Sequence, residues 1–356
     1  MIHGTKDIKV DLYPATPDIH ETGRLYTIGF GSGMSAEGQN LLKAASETYG
    51  GGKHLVAGTP EELVKALNQA VSAIRKVNDT FASPSIASNN VDQTRSRDGI
   101  YYAMFFPKEG ARWRGNLKKL KVSGDEIVDL NGKPALNEDG LIDDEAKTFW
   151  LPVNESADGN SVEQGGANLM LSNLSSRTIY TDAGSAGLVD FTKSTVSTAL
   201  GGDLAAALKF NLTTATSVDS LTLGLLSTEL DKTIKWSRGI DVDDEDGDGS
   251  TSDHRQDIFG DPLHSKPVTI DYGNDDVRIL IGTNAGYLHF FQDKNDVLKE
   301  SWAFIPSSLY KIIKPLRENQ ESSKVYGVDG PISVFFDDKN SDGIVNGTDR
   351  VWAFFG

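Results

Sequence analysis

The sequence predicts an α+β chain of several domains, mainly β, and three observations predict it. Strand and helix patterns alternate over residues 1–78, β-prone segments and turn signals fill 79–235, and short strands at regular spacing run through 236–356. At 356 residues the chain is long enough for two or three domains, each with its own core.

The first stretch reads α/β. Leu25-Tyr26-Thr27-Ile28-Gly29-Phe30 is an apolar, β-prone run, and Gly31-Ser32-Gly33 breaks it. A helix follows with Leu41, Leu42, Ala44 and Ala45 on its apolar side, ended by Gly50-Gly51-Gly52. Lys53 to Ala57 suits a second short strand. Thr59-Pro60-Glu61-Glu62 is a helix start, with Thr as N-cap and Pro at the first helical position. Leu63, Ala66, Leu67, Ala70, Val71 and Ile74 then recur at helical spacing. Strand, helix, strand, helix predicts parallel pairing at the edge of an open sheet.

In the second stretch, Ile100–Phe106 is a strand, and Leu117–Val122 alternates apolar residues with Lys as a half-buried strand does. Asn131-Gly132, Asp139-Gly140 and Asp158-Gly159 mark turns. Residues 183–228, rich in Ser, Thr, Ala and Gly, read as a loop-laden connection. The third stretch opens on seven acidic residues between Asp241 and Asp253, with no basic one among them. Strands are expected at Pro267–Asp271, Arg278–Gly282, Tyr287–Gln292, Ser301–Ile305, Ile332–Phe336 and Val351–Phe355, which predicts a sandwich, barrel or propeller. The apolar strand Val351–Phe355 with no polar tail reads as the edge of something longer.

Lys and Arg number 35 against 51 Asp and Glu, a net charge of −16. Duplex nucleic acid and anionic membranes would be repelled, whereas cations would be attracted. No apolar run reaches the length of a membrane span, and Met1-Ile2-His3-Gly4-Thr5-Lys6-Asp7 lacks the basic start and apolar core of a signal peptide. The chain has no cysteine, which removes disulfides, thiol catalysis and thiolate metal sites.

The sharpest motif is Asp338-Lys339-Asn340-Ser341-Asp342-Gly343-Ile344-Val345-Asn346-Gly347-Thr348-Asp349. It places oxygen donors at the positions of a calcium loop: side chains of Asp338, Asn340 and Asp342, the Ile344 carbonyl, Asn346, and Asp349 at the closing position where a longer Glu is usual. Gly343 supplies the sharp turn. Ca²⁺ is hard and takes six to eight oxygens, so carboxylates and carbonyls suit it. Strand patterns flank the motif, so it is expected inside a β-hairpin. The plainer alternative is an Asx-rich turn, which needs neither the alternate spacing nor the closing Asp.

Asp244-Glu245-Asp246-Gly247-Asp248-Gly249 matches the first half of the same pattern through Asp244, Asp246 and Asp248. Arg255 falls at the closing position, so Asp253 is the candidate substitute ligand; a solvated acidic loop is the alternative. Gly29, Gly31 and Gly33 have the wrong spacing for a dinucleotide loop and read as a structural turn. Arg112, Arg114, Lys118, Lys119 and Lys121 read as a solvated basic face. His264-Ser265 reads as a packed or hydrogen-bonded His beside a Ser on the opposite face, not as a hydrolase pair. Neither a close His pair nor a G-x-S-x-G elbow occurs.

Phe259-Gly260-Asp261-Pro262-Leu263-His264-Ser265-Lys266-Pro267-Val268 resembles the opening of the β-propeller in type IV pilus proteins of the PilC/PilY family. Ile281–Phe291, Trp302–Ser307 and Tyr326–Pro331 resemble later segments of that family in the same order, and Asp338–Asp349 falls where the family carries an EF-hand-like site. There Asn346 stands where Asp is more usual, which implies weaker affinity. Trp113–Lys118, Asp158-Gly159, Gly165-Gly166-Ala167 and Arg177–Thr181 are similar to the region before the propeller. The first stretch is similar to the end of a von Willebrand factor A domain, although the metal-adhesion motif D-x-S-x-S is absent.

The resemblance implies a fragment spanning the end of an A-like domain, a connecting region and the first propeller blades. It also implies an exported, calcium-binding protein of the bacterial surface, at the pilus tip or outer membrane. Such a protein supports pilus assembly, adhesion and twitching without catalysis, with minor pilins and a host or surface receptor as partners. A calcium-dependent propeller hydrolase or a quinone-cofactor dehydrogenase is the alternative that fold alone leaves open. A purely structural calcium scaffold is a third.

Overall fold

The computed structural model describes residues 25–31, 33–49, 52–60, 62–63, 66–67, 81–88, 96–108, 110–137, 140–152, 154–183, 187–210, 220–320 and 324–356, with backbone only at 81–88, 96–97 and 220–223. Among the described residues the fold is α+β with more strand than helix, built on several sheets, none closed into a barrel. The chain divides into two compact units, Met1–Asp79 and Thr80–Gly356.

In the first unit β1 (Thr27–Phe30) and β2 (His54–Ala57) pair in parallel, as the alternating pattern predicts, with Ile28 opposite Leu55. Between them α1 (Ala36–Lys43) begins at Ser35, whose hydroxyl accepts from the Gly38 N–H, and runs into a π turn over Ala44–Thr48. That turn shifts the helical phase. Ser46 becomes fully buried, whereas Leu41, expected on the apolar side, is 71% exposed. Thr59 caps the next helix as predicted, accepting from the Glu62 N–H at 3.2 Å. Ala66 joins Leu55 and Ala57 in the core. Ala70, Val71, Ile74, Gly50 and Gly51 lie outside the described residues. Gly29 sits within β1, not in a turn; a Cβ there would meet the Gln39 side chain at 2.5 Å.

The second unit opens with an antiparallel meander of β3 (Phe81–Ser88), β4 (Ser96–Phe106), β5 (Arg114–Ser123) and β6 (Glu126–Val128). The expected half-buried β5 is instead buried on both faces from Gly115 to Leu120. Leu117 packs toward Ile279 and Phe291, while Leu120 packs with Met104, Ile142 and Val162. The basic stretch is therefore no solvated face: Lys118 and Lys119 are buried, each against a carboxylate.

Residues 183–228 are not a loop-laden connection. Around α2 (Gly166–Ser172), β7 (Ile179–Thr181) and β8 (Val189–Asp190), the region holds α3 (Lys193–Ala199), α4 (Leu204–Ala207) and the start of α5 (Ser220–Ser237); 211–219 lie outside the described residues. Thr192 caps α3 by accepting from the Thr195 N–H, and Val196, Leu204 and Leu208 supply a buried face that the small polar residues around them dilute in sequence.

All six strands expected beyond residue 260 are present, with ends that coincide or move by up to four residues: β9 (Val268–Asp271), β10 (Asp276–Gly282), β11 (Leu288–Lys294), β12 (Val297–Ile305), β13 (Ser333–Asp337) and β14 (Arg350–Phe354). β9 to β12 form an antiparallel meander, β7 joins β12 in parallel, and β8 completes a six-stranded sheet. The expected division at residue 235 thus runs through a shared sheet. One face packs on the helices and on β4–β5; the other packs Val268, Ile270, Leu280 and Leu288 against Val334 and Val351 of the β13–β14 hairpin. The helix α6 (Tyr310–Glu318) follows β12 and buries Ile312, Ile313 and Leu316.

Candidate cation-binding loops

Loop 338–349 connects β13 to β14, so its two ends are held at ladder distance by Asp337 opposite Arg350. A hydrogen bond from the Val345 N–H to the Asp271 carbonyl, 2.9 Å, fastens its middle to the end of β9. Gly343 takes φ +74°, the left-handed turn the motif requires. Backbone N–H groups then aim the carboxylates. Asp338 accepts from Ser341 and Gly343, each at 2.7 Å. Asp342 accepts from Ile344 at 2.8 Å, and Asp349 accepts from Lys339 and Asn346 at 2.9 Å.

As a result Asp338, Asp342 and Asp349 each bring a carboxylate oxygen within 4.8 Å of the other two. The remaining sequence-predicted donors join them. Asn346 Nδ2 donates to Asp342 Oδ2 at 2.7 Å and to the Ile344 carbonyl at 3.2 Å, and Asn340 Nδ2 donates to Asp342 Oδ2 at 2.9 Å. All six residues of the motif therefore converge. The donors are carboxylate, amide and carbonyl oxygens without nitrogen or sulfur ligands, a set that fits a hard cation.

The acidic loop after α5 is closed at its base by the bridge Ile240–His254 and by the Asp241 N–H on the Asp253 carbonyl at 2.8 Å. Asp244, Asp246 and Asp248 cluster within 4.8 Å, as their spacing predicts. Asp253 does not join them; it shares a second cluster with Asp246 and Asp241. Asp241 is the member that pattern reading missed, because it precedes the motif. Burial first, and then the nearby carboxylates of Glu245 and Asp246, push its carboxyl above the usual range, although the Glu245 N–H bonds both its oxygens at 3.0 Å. Asp253 Oδ1 is buried and finds no hydrogen-bond partner among the described residues. Arg255, at the closing position, turns away from the acids: it bonds Asp257 at 2.5 Å and lies over the Trp236 ring at 4.0 Å.

His264 is hydrogen-bonded, and its ring stacks on Tyr326 with centroids 6.4 Å apart. It lies in a loop, with Nδ1 2.5 Å from Asp329 Oδ2 and the side chain 64% exposed, while Ser265 is buried and accepts from the Gly282 N–H. Segments 259–268, 281–291 and 326–331 interlock here. Asn284 bonds Asp261 through both its N–H and its side chain, its Oδ1 receives the Gly327 N–H, and the Val328 N–H reaches Thr283. Sequence spacing gave no sign of a second buried knot, in which Arg177 holds Glu300 through two 2.7 Å bonds and His289 Nδ1 adds a third contact at 2.9 Å.

No protein-family model, curated protein or solved structure matches this chain. Among the described residues no helix is long and apolar enough to cross a membrane.

Proposed function

We propose that this chain is a calcium-binding type IV pilus protein of the PilC/PilY kind, acting at the bacterial surface in pilus assembly, adhesion and twitching without catalysis. The observation that carries the cation reading is the convergence of Asp338, Asp342 and Asp349 within 4.8 Å in one hairpin loop. Asn340, Asn346 and the Ile344 carbonyl complete the donor set. Three carboxylates this close repel one another, and a divalent cation relieves that repulsion. The Asn346 amide nitrogen now sits among the acceptors, and turning the amide over presents its oxygen instead. The Asp241–Asp246–Asp253 cluster is the second candidate, for the same electrostatic reason.

The pilus reading rests on the ordered resemblance of four segments, three of which interlock around Asn284. Support for a propeller is that β9 to β12 make a four-stranded antiparallel meander, the form of a blade, with the β13–β14 hairpin beside it. In this reading calcium fixes the hairpin loop, and the ordered edge presents a surface to a pilin or receptor.

Terbium luminescence tests the site. Trp352 lies three residues past Asp349 and beside Phe335 across the hairpin, close enough to sensitise a bound lanthanide. Saturable emission that Ca²⁺ displaces and Asp342→Ala abolishes is expected. A folded chain without emission would sink the cation reading. For the biological role, Asp342→Ala in the pilus-bearing cell should reduce twitching; normal twitching despite lost binding would leave only a structural scaffold.

A further inference from the structure

We propose that Asn346 is a self-modifying position, at which loss of ammonia converts the amide into a carboxylate within loop 338–349. The chain contains two Asn-Gly pairs, Asn131-Gly132 and Asn346-Gly347. An unsubstituted glycine lets its backbone nitrogen reach the preceding side-chain carbonyl, so such pairs form cyclic imides more readily than other Asn pairs. The structure separates the two. At the first pair the Gly132 N–H is spent on the Asp129 carbonyl at 3.0 Å, and Asp129 also holds the Asn131 N–H and amide. At the second pair the Gly347 N–H has no acceptor among the described residues, both residues are exposed, and Gly347 sits at φ +53° with open space around it. The Asn346 carbonyl oxygen also receives a bond from Asn340 Nδ2 at 3.3 Å, which polarises its carbon toward attack.

In the step, the Gly347 nitrogen bonds to Asn346 Cγ and the bond from Cγ to Nδ2 breaks. The nitrogen's proton leaves with ammonia, and a succinimide ring remains. Water then opens the ring. Attack at Cγ breaks the new bond and yields aspartate in a normal backbone. Attack at the main-chain carbonyl yields isoaspartate, with the chain rerouted through Cγ. No oxidant or cofactor enters. The aspartate product adds a fourth carboxylate to Asp338, Asp342 and Asp349. The isoaspartate product lengthens the backbone by one carbon and displaces the carbonyl that now accepts the Asp349 N–H at 3.0 Å. The consequence for cation binding rests on the calcium reading above; the modification itself does not.

The full chain and a synthetic unstructured peptide spanning 342–350 are incubated together in warm, mildly alkaline buffer and then mapped by mass spectrometry. The expected result is the amide-to-acid mass increase at Asn346, well ahead of Asn131, and its disappearance in Asn346→Gln. No increase at Asn346 while the peptide converts, or equal conversion at Asn131, overturns the proposal. Terbium titration of Asn346→Asp against the wild type is read separately. About tenfold tighter binding is expected from the added charge, and equal or weaker binding overturns the claim that modification strengthens the loop. If neither protein binds terbium, the calcium reading fails, and with it that claim, while the mass result still decides the modification.

Discussion

Lys118 is fully buried, and its ammonium lies 3.0 Å from Asp158 and 2.8 Å from the carbonyls of Asp158 and Gly159. Asp158 in turn accepts from the N–H and hydroxyl of Thr148. Removing the cation strands a buried carboxylate, so Lys118→Met should cost about 3–5 kcal/mol in urea unfolding. Adding Asp158→Asn should recover part of that, and a single-variant loss below about 1 kcal/mol would mean that water reaches the site. The Arg177–Glu300–His289 knot sets a pH dependence. Burial alone would raise the Glu300 carboxyl, but the Arg177 charge and its two hydrogen bonds hold it at about 2. Burial, against the pull of Glu300, holds His289 below its ordinary value. Both folded values are depressed, so both groups stabilise the fold above their unfolded values and lose that contribution as pH falls. Urea midpoints should therefore decline in two stages, first below about 6.5 from His289 and then from about 4.5 toward 2 from Glu300. His289→Gln should shrink the first stage to the part contributed by His254, which burial also holds below its ordinary value, and leave the second; an unchanged first stage would assign it to His254 alone. These pairs were not legible in sequence because Lys118 and its partner are 40 residues apart and Lys119 and Asp293 are 174 apart. The carboxylate cluster of loop 338–349 was legible because a single twelve-residue window holds all its members.

Whole elements were legible where one period dominates. The strands after residue 260 are short β-prone runs punctuated by turn residues, so their positions could be read directly. The helices between 193 and 237 could not, because Ser and Thr occupy both the caps and the solvent face and leave only a thin apolar stripe. One of these helices, α5, meets the acidic loop together with α6. Arg317 of α6 bonds Asp243 through two 2.7 Å contacts and reaches Glu229 and Thr233 of α5, and those hydrogen bonds first, then its charge, hold the Asp243 carboxyl below the usual range. Glu245 is fastened separately by Arg112 and the Trp236 indole. Asp243 and Glu245 therefore anchor the loop, and the other acids are left to face one another. Arg317→Ala should speed amide hydrogen exchange across 241–253 and leave 338–349 unchanged. Equal protection in the variant would place the anchor at Glu245 alone.

At the scale of the molecule, the division at 79 and the continuity through 235 make separate demands. The main core of the second unit takes Ile179, Phe191, Val196, Leu204 and Leu208 from before residue 236, and Tyr287, Ala303, Ile305, Tyr310 and Ile313 from after it. Each fully buried large side chain contributes about 2 kcal/mol, so neither set is dispensable. Backbone fit crosses the same point: a Cβ on Gly115 would lie 2.0 Å from the Gly260 carbonyl oxygen, so β5 and the 259–268 segment are shaped to each other. Charge crosses it as well, in the Lys119–Asp293 and Arg177–Glu300 pairs. A fragment of residues 80–356 should therefore unfold in one cooperative transition. A fragment of 236–356 should lose β7, β8 and the helices α2 to α5 together, expose Ala303 and Ile305, and leave Glu300 buried without its arginine. It should melt broadly and bind a dye for exposed apolar surface. A sharp melt of 236–356 at the midpoint of 80–356 would show instead that the β9–β12 meander carries its own stability, and that the shared sheet is a docking contact between two domains.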